Sequence, residues 1–216
     1  MKNKVYAVIG LGRYGQAVAK ELVNSGAEVL AVDINEAIVN DLAADIPVCK
    51  CADITDPAVF HQLGIDRVDT AIIAMASDLE ASVMAITLCK EAGVGTVVVK
   101  CATNMQKVIY TRVGADQTVL PENESGVRLA KNLLSAGFVD MLELSKDVCM
   151  VEIDVKAEWV GKSLVELKLR NKYDVNVVAI LNNETAITAI DPTMPLTAGM
   201  RLIVIANVKK LEKLAR

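Results

Sequence analysis

The sequence predicts an α/β fold: a Rossmann-like, doubly wound parallel sheet followed by a small α+β domain. Short runs rich in Val, Ile and Ala alternate with helix-length segments over the first 120 residues, a pattern typical of βαβ units. The first of these runs leads directly into a glycine-rich turn. Beyond about residue 148 the strand-like runs are closely spaced, with few helical segments between them. A chain of 216 residues has room for both domains.

Six strands are expected in the first domain, each a short apolar run of the kind found in parallel sheets covered by helices on both faces. They are Val5–Ile9, Glu28–Val32, Val48–Cys51, Thr70–Ala74, Thr96–Val99 and Gln117–Leu120. The helices between them are expected to run from the glycine turn to Val23, from Asn35 to about Ala44, from Asp56 to near Gly64, from Ser77 or Asp78 to Gly93, from about Asn104 to Val113, and from Glu122 to Leu134. Asp56 before Pro57 is a typical helix start, and Gly26 and Gly93 are typical helix ends.

The second domain is predicted to contain four strands, one short helix and one terminal helix. The strands are Met150–Val155, Val175–Leu181, Ala186–Ala189 and Leu202–Ala206, and the helices are Gly161–Leu169 and Val208–Leu214. The mixed stretch that follows Gly137 is typical of a linker. The predicted organisation is therefore a Rossmann-type domain over 1–135, a linker over 136–147 and a small domain over 148–216.

Composition and charge exclude several classes of protein. Apolar residues make up 53% of the chain and charged residues 23%, which is a globular rather than a disordered composition. The net charge of −4 offers no general attraction to nucleic acid, so we expect no nucleic-acid partner. The apolar runs have strand length, and the first residues enter a strand without a secretory signal, so we expect a cytoplasmic protein.

The glycine-rich turn carries the strongest functional signal. Its sequence, Gly10-Leu11-Gly12-Arg13-Tyr14-Gly15, fits the pattern G-x-G-x-x-G between a strand and a helix, and Asp33 ends the next strand. In nucleotide-binding folds the first glycine permits the tight turn, the second lets phosphates approach the backbone, and the third lets the helix pack against the strand. The helix N-terminus then offers N–H groups and a partial positive charge to the phosphates. The sequence therefore predicts an adenine-nucleotide site, the alternative being glycines that serve only a tight turn.

Residues at the ends of later strands extend this site. Asp33 is placed to accept hydrogen bonds from ribose hydroxyls and to repel a 2′-phosphate, which argues against NADP; its alternative role is a helix cap, for which Asn35 is the better candidate. Asp53, Ala74 and Lys100 end the third, fourth and fifth strands, along the crevice where adenine lies in such sheets. Asp53 either meets an adenine amino group or is a plain turn residue, and Lys100 either reaches phosphate or is solvated.

Catalytic residues are absent from the patterns in this chain. His61 is the only histidine and is expected in a structural or surface role, and no Ser-His-Asp, Cys-His or H-E-x-x-H set can be assembled. We therefore expect a protein that is not an enzyme. An NAD-dependent oxidoreductase is the alternative, and it would need an acid–base residue in the second domain. The five cysteines are expected to be small buried thiols rather than zinc ligands: Cys49, Cys51, Cys89, Cys101 and Cys149.

Three segments of the first domain resemble a known family: residues 7–15 (AVIGLGRYG), 30–35 (LAVDIN) and 115–122 (ADQTVLPE). They are similar to the RCK (KTN) domains of TrkA/KtrA-type regulators of potassium uptake. In the second domain residues 161–167, 175–180 and 199–205 are similar to the family's small RCK_C (TrkA-C) domain. The resemblance covers essentially the whole chain in the right order. The chain departs from the family at Ala52, where a glycine is usual after the third strand.

The resemblance implies roles for particular residues. Asp33 would hold the ribose, Asn35 would lie beside the adenosine, and Arg13 would reach terminal phosphates, including those bound to a neighbouring subunit. Glu122 would help to bind a divalent cation, Mg²⁺ or Ca²⁺, between nucleotides. The full set of candidate nucleotide contacts is Gly10, Gly12, Arg13, Tyr14, Gly15, Asp33, Ile34, Asn35, Asp53, Ala74 and Lys100, with Glu122 as the candidate metal ligand.

The resemblance also implies a partner and an assembly. It implies a cytosolic gating subunit that forms dimers and then a ring, often of eight, beneath a membrane potassium channel or transporter, and that responds to ATP, ADP or NAD(H). The predicted helix Asp78–Ala92 is apolar on more than one side, which is typical of a helix buried by a neighbouring subunit or by a tight core. A cyclic dinucleotide is a second candidate ligand, at Arg170, Asn176 and Val177 of the C-terminal domain. Regulation of another kind of transporter remains an alternative.

Overall fold

The structure, a computed structural model, describes residues 4–134, 138–183 and 185–207. The chain divides into two compact units, Met1–Asn123 and Glu124–Arg216. The first contains a parallel sheet with helices, and the second a smaller antiparallel sheet, as the sequence predicts. Within the described ranges no helix combines the length and the apolar character needed to cross a membrane.

The first unit is built on a six-stranded parallel sheet of order β3-β2-β1-β4-β5-β6. The strands are β1 (Val5–Ile9), β2 (Glu28–Asp33), β3 (Val48–Cys51), β4 (Thr70–Ile73), β5 (Thr96–Lys100) and β6 (Gln117–Val119). After β3 the chain crosses back to place β4 beside β1, and both neighbours of β1 pair with it in parallel. The strand order therefore reverses at β1 and β4, where doubly wound sheets open a crevice at their carboxyl ends.

The helices of this region begin near the predicted positions, and the caps that the sequence indicates at Asn35, Asp56 and Asp78 are present. They are α1 (Arg13–Asn24), α2 (Glu36–Leu42), α3 (Pro57–Gln62), α4 (Leu79–Glu91), α5 (Asn104–Val113) and α6 (Pro121–Leu134), with one turn of 3-10 helix at Ile65–Arg67. Asn35, Asp56, Asp78 and Thr103 each accept a hydrogen bond from a first-turn N–H of the helix that follows. Such caps satisfy donors that the helix itself leaves open.

Apolar side chains fill both faces of the parallel sheet. In β1, Ala7 and Ile9 join a cluster with Phe60 of α3 and residues of α4 and α5, whereas Val8 joins a cluster with Ala19 of α1 and residues of α2. Successive side chains of a strand point to opposite faces, so a continuous apolar strand can serve both clusters. The sheet is thereby fixed between two helical layers, and its carboxyl edge presents the loops of the site.

The second unit is a five-stranded antiparallel sheet of order β10-β9-β11-β8-β7. Its strands are β7 (Phe138–Glu143), β8 (Val148–Asp154), β9 (Val175–Asn182), β10 (Thr185–Ile187) and β11 (Arg201–Asn207), and its short helices are α7 (Leu164–Leu167) and α8 (Leu169–Tyr173). Trp159, Leu167 and Ile180 lie in its core. α7 lies within the predicted helix Gly161–Leu169, whereas α8 was not predicted; Lys168, with a left-handed φ of 49°, separates the two.

One strand lies where the sequence suggests a linker. β7 occupies part of 136–147 and pairs with β8, but its register shifts between Phe138 and Asp140. A bulge of this kind breaks the two-residue alternation by which strands are recognised in a sequence. The domain bounds derived from the sequence stay predictions. The predicted terminal helix Val208–Leu214 lies outside the described residues.

Candidate nucleotide-binding site

The glycine turn between β1 and α1 has a distinct steric reason for each glycine. Gly10 has a φ of +89°, and a Cβ added there would lie 2.7 Å from Cγ of Met75. A Cβ on Gly15 would lie 1.9 Å from the carbonyl oxygen of Gly10, so only glycine lets α1 begin this close to β1. A Cβ on Gly12 would meet nothing within 4 Å. The first and third glycines therefore build the turn, and the second keeps space open in front of it.

The N-terminus of α1 is suited to an anion. Gly12 is the N-cap and provides no side-chain hydrogen bond, and the first turn contains no acidic residue. α2, α3, α4 and α5 differ in this respect, since the N-cap residue of each accepts a hydrogen bond through its side chain. Backbone N–H groups and the helix dipole together favour a phosphate at such a position.

Asp33 fixes the turn as well as facing the crevice. Its Oδ2 accepts a hydrogen bond from the N–H of Leu11 at 2.6 Å, and its Oδ1 accepts one from the N–H of Asn35 at 2.8 Å. Each carboxylate oxygen can accept a second hydrogen bond, so capacity for ribose hydroxyls remains. Asn35 in turn accepts from the N–H of Ala37 at 3.0 Å and caps α2. Sequence patterns do not reveal that Asp33 holds the glycine turn.

An open cleft of about 620 Å³ extends from this turn along the carboxyl edge of the sheet. Its volume lies in the range typical of small-molecule sites. Of the candidate residues, those that line it are Gly10, Gly12, Asp33, Ile34, Asp53 and Ala74. Residues outside the set of candidate nucleotide contacts complete the lining: Ile9, Val32, Ile38, Ala52, Ile54, Thr55, Met75, Ser77, Asp78, Glu80, Ala81 and Met84. The rule that ligands bind where the strand order reverses could have indicated the loop after β4.

The walls of the cleft are apolar at its mouth. Ile34 is 69% exposed, and Ile38 of α2 and Met84 of α4 line the same space. A large apolar side chain exposed at the rim of a cleft costs solvation free energy that a bound planar ring would recover. These side chains therefore offer an adenine ring two apolar surfaces.

Acidic groups dominate the charge of the lining. The cleft contains the carboxylates of Asp33, Asp53, Asp78 and Glu80, and its lining, as far as the chain is described, contains no Lys or Arg. Thr55 donates hydrogen bonds to Asp53 through its hydroxyl and its N–H, which lowers the pKa of that carboxyl. The backbone of the α1 N-terminus is therefore the principal attraction for a phosphate within the cleft.

Lys100, Glu122 and Tyr14 form a cluster that is not part of the cleft lining. The Lys100 Nζ lies 2.6 Å from Oε1 of Glu122 and 5.6 Å from the centre of the Tyr14 ring. The hydrogen bond from Lys100 lowers the pKa of Glu122, so this carboxylate is ionised at neutral pH. The cluster joins the end of β5, the first turn of α6 and the glycine turn. Arg13, Gly15 and Asn35 also do not line the cleft.

The remaining candidates do not form a catalytic set. His61 is exposed on α3 and lies edge-on to Phe60, away from the cleft lining. Within the part of the chain that the structure describes, no three His, Cys, Asp or Glu side chains are grouped to hold a metal ion. Cys51 is exposed and Cys49 is half-buried, which differs from the expectation of buried thiols; Cys89, Cys101 and Cys149 are buried as expected. β3 is an edge strand with a solvent-facing side, and this accounts for the difference.

Comparison with protein families matches each of the two units to a known domain. Residues 6–121 match the TrkA-N domain, and residues 149–216 match the TrkA-C domain. The first match covers more than half of the chain and includes the glycine turn, Asp33 and Lys100.

Two relatives align with this chain over nearly their whole length. The chain is 35% identical over 211 residues to Ktr system potassium uptake protein C of Bacillus subtilis, covering 98% of this chain and 96% of the relative. It is 36% identical over 209 residues to Ktr system potassium uptake protein A of Vibrio alginolyticus, covering 97% of this chain and 95% of the relative. Among solved structures, the GsuK channel bound to NAD matches with a TM-score of 0.53 and 21% identity over 99% of this chain. This chain spans 38% of that channel chain, and at such identity the likeness shows the fold.

Proposed function

Since the chain belongs to the family that combines TrkA-N and TrkA-C domains, we propose that it is a cytosolic, nucleotide-sensing regulatory subunit of a potassium channel or transporter. The observation that carries this proposal is the glycine turn, where open space at Gly12 lies before an α1 N-terminus whose N-cap residue is itself a glycine without a capping side chain. Two full-length relatives are named as potassium uptake proteins, and a solved channel of the same fold is described with NAD bound. The ligand we propose is an adenine nucleotide: ATP, ADP or NAD(H).

The geometry supports one orientation of the nucleotide. Phosphates at the N-terminus of α1 place the ribose beside Asp33 and the adenine between Ile34 and the loop that contains Asp53. Asp33 repels a 2′-phosphate, so NADP is disfavoured. Arg13, on the first turn of α1, and Lys100 are the cations we assign to terminal phosphates, because a guanidinium or ammonium offsets the acidic lining.

Glu122 can bind a divalent cation only when the nucleotide supplies further ligands to the same ion. Glu122 contributes one exposed, ionised carboxylate, and hard cations such as Mg²⁺ and Ca²⁺ complete such a site with phosphate oxygens and water. When bound, the cation would neutralise phosphate charge. Lys100, which now holds Glu122, competes with the cation for the same oxygen. We therefore propose that phosphates draw Lys100 away from Glu122 as the cation binds.

Dimers and a larger ring, of eight subunits, are the assembly we propose for this regulation. α4 and α5 of the first unit expose apolar side chains that a soluble monomer would leave in water, namely Leu79, Met84, Met105 and Val108. A ligand changes the ring only as far as it binds one of two conformations more tightly than the other. The proposed location follows from the partner: at the inner face of the membrane, held by the potassium-transporting subunit.

Potassium flux in vesicles tests this function. Purified membrane subunit from a Ktr system is reconstituted with and without this chain, and ⁸⁶Rb⁺ uptake is measured with ADP, ATP or NADH. We expect flux that depends on the chain and differs between nucleotides by severalfold. Flux that is the same with and without the chain, under every nucleotide, would reject the proposal.

Two earlier predictions stay open. An NAD-dependent oxidoreductase requires an acid–base residue beside the cofactor, and nothing in the described cleft lining favours that activity over binding. A cyclic dinucleotide at the second unit also stays a prediction: Asn176 and Val177 lie on β9, and Arg170 lies on α8.

A further inference from the structure

The loop between β4 and α4 forms one wall of the cleft and is held from behind by a side chain of another helix. Ala74, Met75, Ser77 and Asp78 of this loop line the cleft. Ala76, between them, is buried and points its carbonyl oxygen away, to Nε2 of Gln106 at 2.9 Å. Gln106 lies on α5 and is not part of the lining.

The amide of Gln106 bridges two loops at the carboxyl edge of the sheet. Its Oε1 accepts a hydrogen bond from the N–H of Ala102, which follows β5, at 2.6 Å. A carbonyl can only accept and a backbone N–H can only donate, so one amide orientation alone satisfies both contacts. An isosteric side chain that lacks the Nε2 donor would leave the carbonyl of Ala76 buried without a partner, and that has a free-energy cost.

Two further hydrogen bonds hold the loop to α4, the helix that follows it. The hydroxyl of Ser82 on α4 donates to the carbonyl oxygen of Met75 at 2.9 Å, and the N–H of Asp78 donates to the same oxygen at 2.9 Å. These bonds move with α4. The bond from Gln106 is different in kind, because it sets where the loop lies relative to α5, the helix that exposes Met105 and Val108.

We propose that Gln106 is a positioning residue for nucleotide binding, which holds the β4–α4 wall of the cleft in its binding position without touching the ligand. This inference rests on the proposed nucleotide site. Because the same amide holds the N–H of Ala102, nucleotide contact with the wall is transmitted to the start of α5. A preorganised wall binds more tightly than one that must be ordered on binding.

The Gln106→Glu variant tests the role. The introduced carboxylate keeps the acceptor for Ala102 but places a second acceptor against the carbonyl of Ala76, so at pH 7.5 we expect ADP binding to weaken about tenfold. At pH 5.5 partial protonation restores a donor, and the ratio of variant to wild-type affinity should contract toward one. The titratable groups on the surrounding elements, Asp78, Cys101, Lys107 and Tyr110, are present in both proteins.

Two controls separate positioning from folding. Gln117→Glu adds the same charge at the start of β6, on the opposite edge of the sheet, and should bind ADP as the wild type does. Gln106→Met removes both hydrogen bonds and should weaken binding at both pH values. Hydrogen exchange should show ADP slowing exchange of the Ala102 N–H in the wild type and much less in Gln106→Glu.

The outcomes are distinct. The proposal is overturned if Gln106→Glu binds ADP within twofold of the wild type at pH 7.5. It is also overturned if the loss of ADP affinity relative to the wild type is the same at both pH values. A variant without a cooperative thermal transition would show that Gln106 is needed for folding, and would overturn the proposal as well. A wild type that binds neither ADP, ATP nor NAD would instead reject the proposed function on which the inference rests.

Discussion

Asp33 combines a structural and a binding role that single substitutions can separate. Its two oxygens accept the N–H groups of Leu11 and Asn35, so it shapes the glycine turn before any ligand arrives. The same carboxylate is the group we assign to the ribose. An aspartate can fill both roles at the end of β2, because its two oxygens accept several hydrogen bonds at once.

Replacing Asp33 should change affinity and selectivity in different ways. Asp33→Ala removes both acceptors, and we expect NAD affinity to fall by about 10–100-fold, with a modest loss of thermal stability. Asp33→Asn keeps an acceptor for Leu11 but loses the charge, so NADP should gain relative to NAD. Calorimetry with both dinucleotides measures this, and an unchanged NAD-to-NADP ratio in Asp33→Asn would contradict the assigned role.

Glu122 provides a second prediction at this scale. Its pKa is lowered by Lys100, so it stays ionised and available to a cation throughout the physiological range. Glu122→Gln should abolish the gain in ATP affinity that Mg²⁺ or Ca²⁺ brings, while affinity measured in EDTA stays the same or rises, because Lys100 is released for phosphate. Calorimetry with and without Mg²⁺ checks this. A cation effect that survives the substitution would place the metal elsewhere.

At the scale of elements, the approach of α1 to β1 depends on Gly15. A Cβ there would overlap the carbonyl oxygen of Gly10, and backbone atoms cannot yield as a flexible side chain can. Gly15→Ala should therefore lower the free energy of unfolding by about 3 kcal/mol. Gly126→Ala, in the open middle of α6, is the matched control and should be neutral or slightly stabilising. Thermal unfolding of both variants tests this prediction. Equal melting temperatures of Gly15→Ala and Gly126→Ala would show that the turn tolerates a side chain.

The contact between Lys90 of α4 and Asp116, in the loop before β6, should contribute to how stability depends on pH in acid. Asp116 accepts the N–H of Val97 at 2.7 Å and faces Lys90 at 3.1 Å, and both contacts lower its pKa, the first more strongly. A carboxyl whose pKa is lower in the folded state adds stability above its unfolded value, near pH 4, and loses that stability as pH falls through the folded value. Asp116→Asn cannot titrate.

The wild type should therefore lose melting temperature more steeply than Asp116→Asn as the pH falls below about 4. Thermal melts of both proteins across pH 2–7 measure the difference. Curves that stay parallel over the whole range would mean that Asp116 adds no pH-dependent stability.

At the scale of the whole molecule, the sequence predicts the fold better than the lining of the candidate site. Six parallel strands, the helix caps at Asn35, Asp56 and Asp78, and the family resemblance are confirmed, because local patterns encode them directly. β7 was not expected, since a bulge interrupts its alternation. The α4 side of the cleft, with Glu80 and Met84, was also missed, because ordinary helix-face residues become lining only through the order of the strands.

Three charged candidate residues do not line the cleft: Arg13, Lys100 and Glu122. Lys100 and Glu122 neutralise each other, and Arg13 lies outside the lining. The described lining of the cleft therefore contains four carboxylates and no Lys or Arg. Under the proposed function, we expect the cations for phosphate to come from Lys100 on rearrangement, from a divalent ion or from a neighbouring copy.

The most direct test of the account is calorimetry of ADP binding to Gly12→Ala beside Gly126→Ala. Both substitutions add a methyl group where nothing lies within 4 Å, so both variants should fold with melting temperatures close to that of the wild type. The account predicts that Gly126→Ala binds ADP normally, whereas Gly12→Ala loses binding by at least about tenfold, because its methyl group fills the space assigned to phosphate. Equal affinity of the two variants would contradict a phosphate site at the glycine turn.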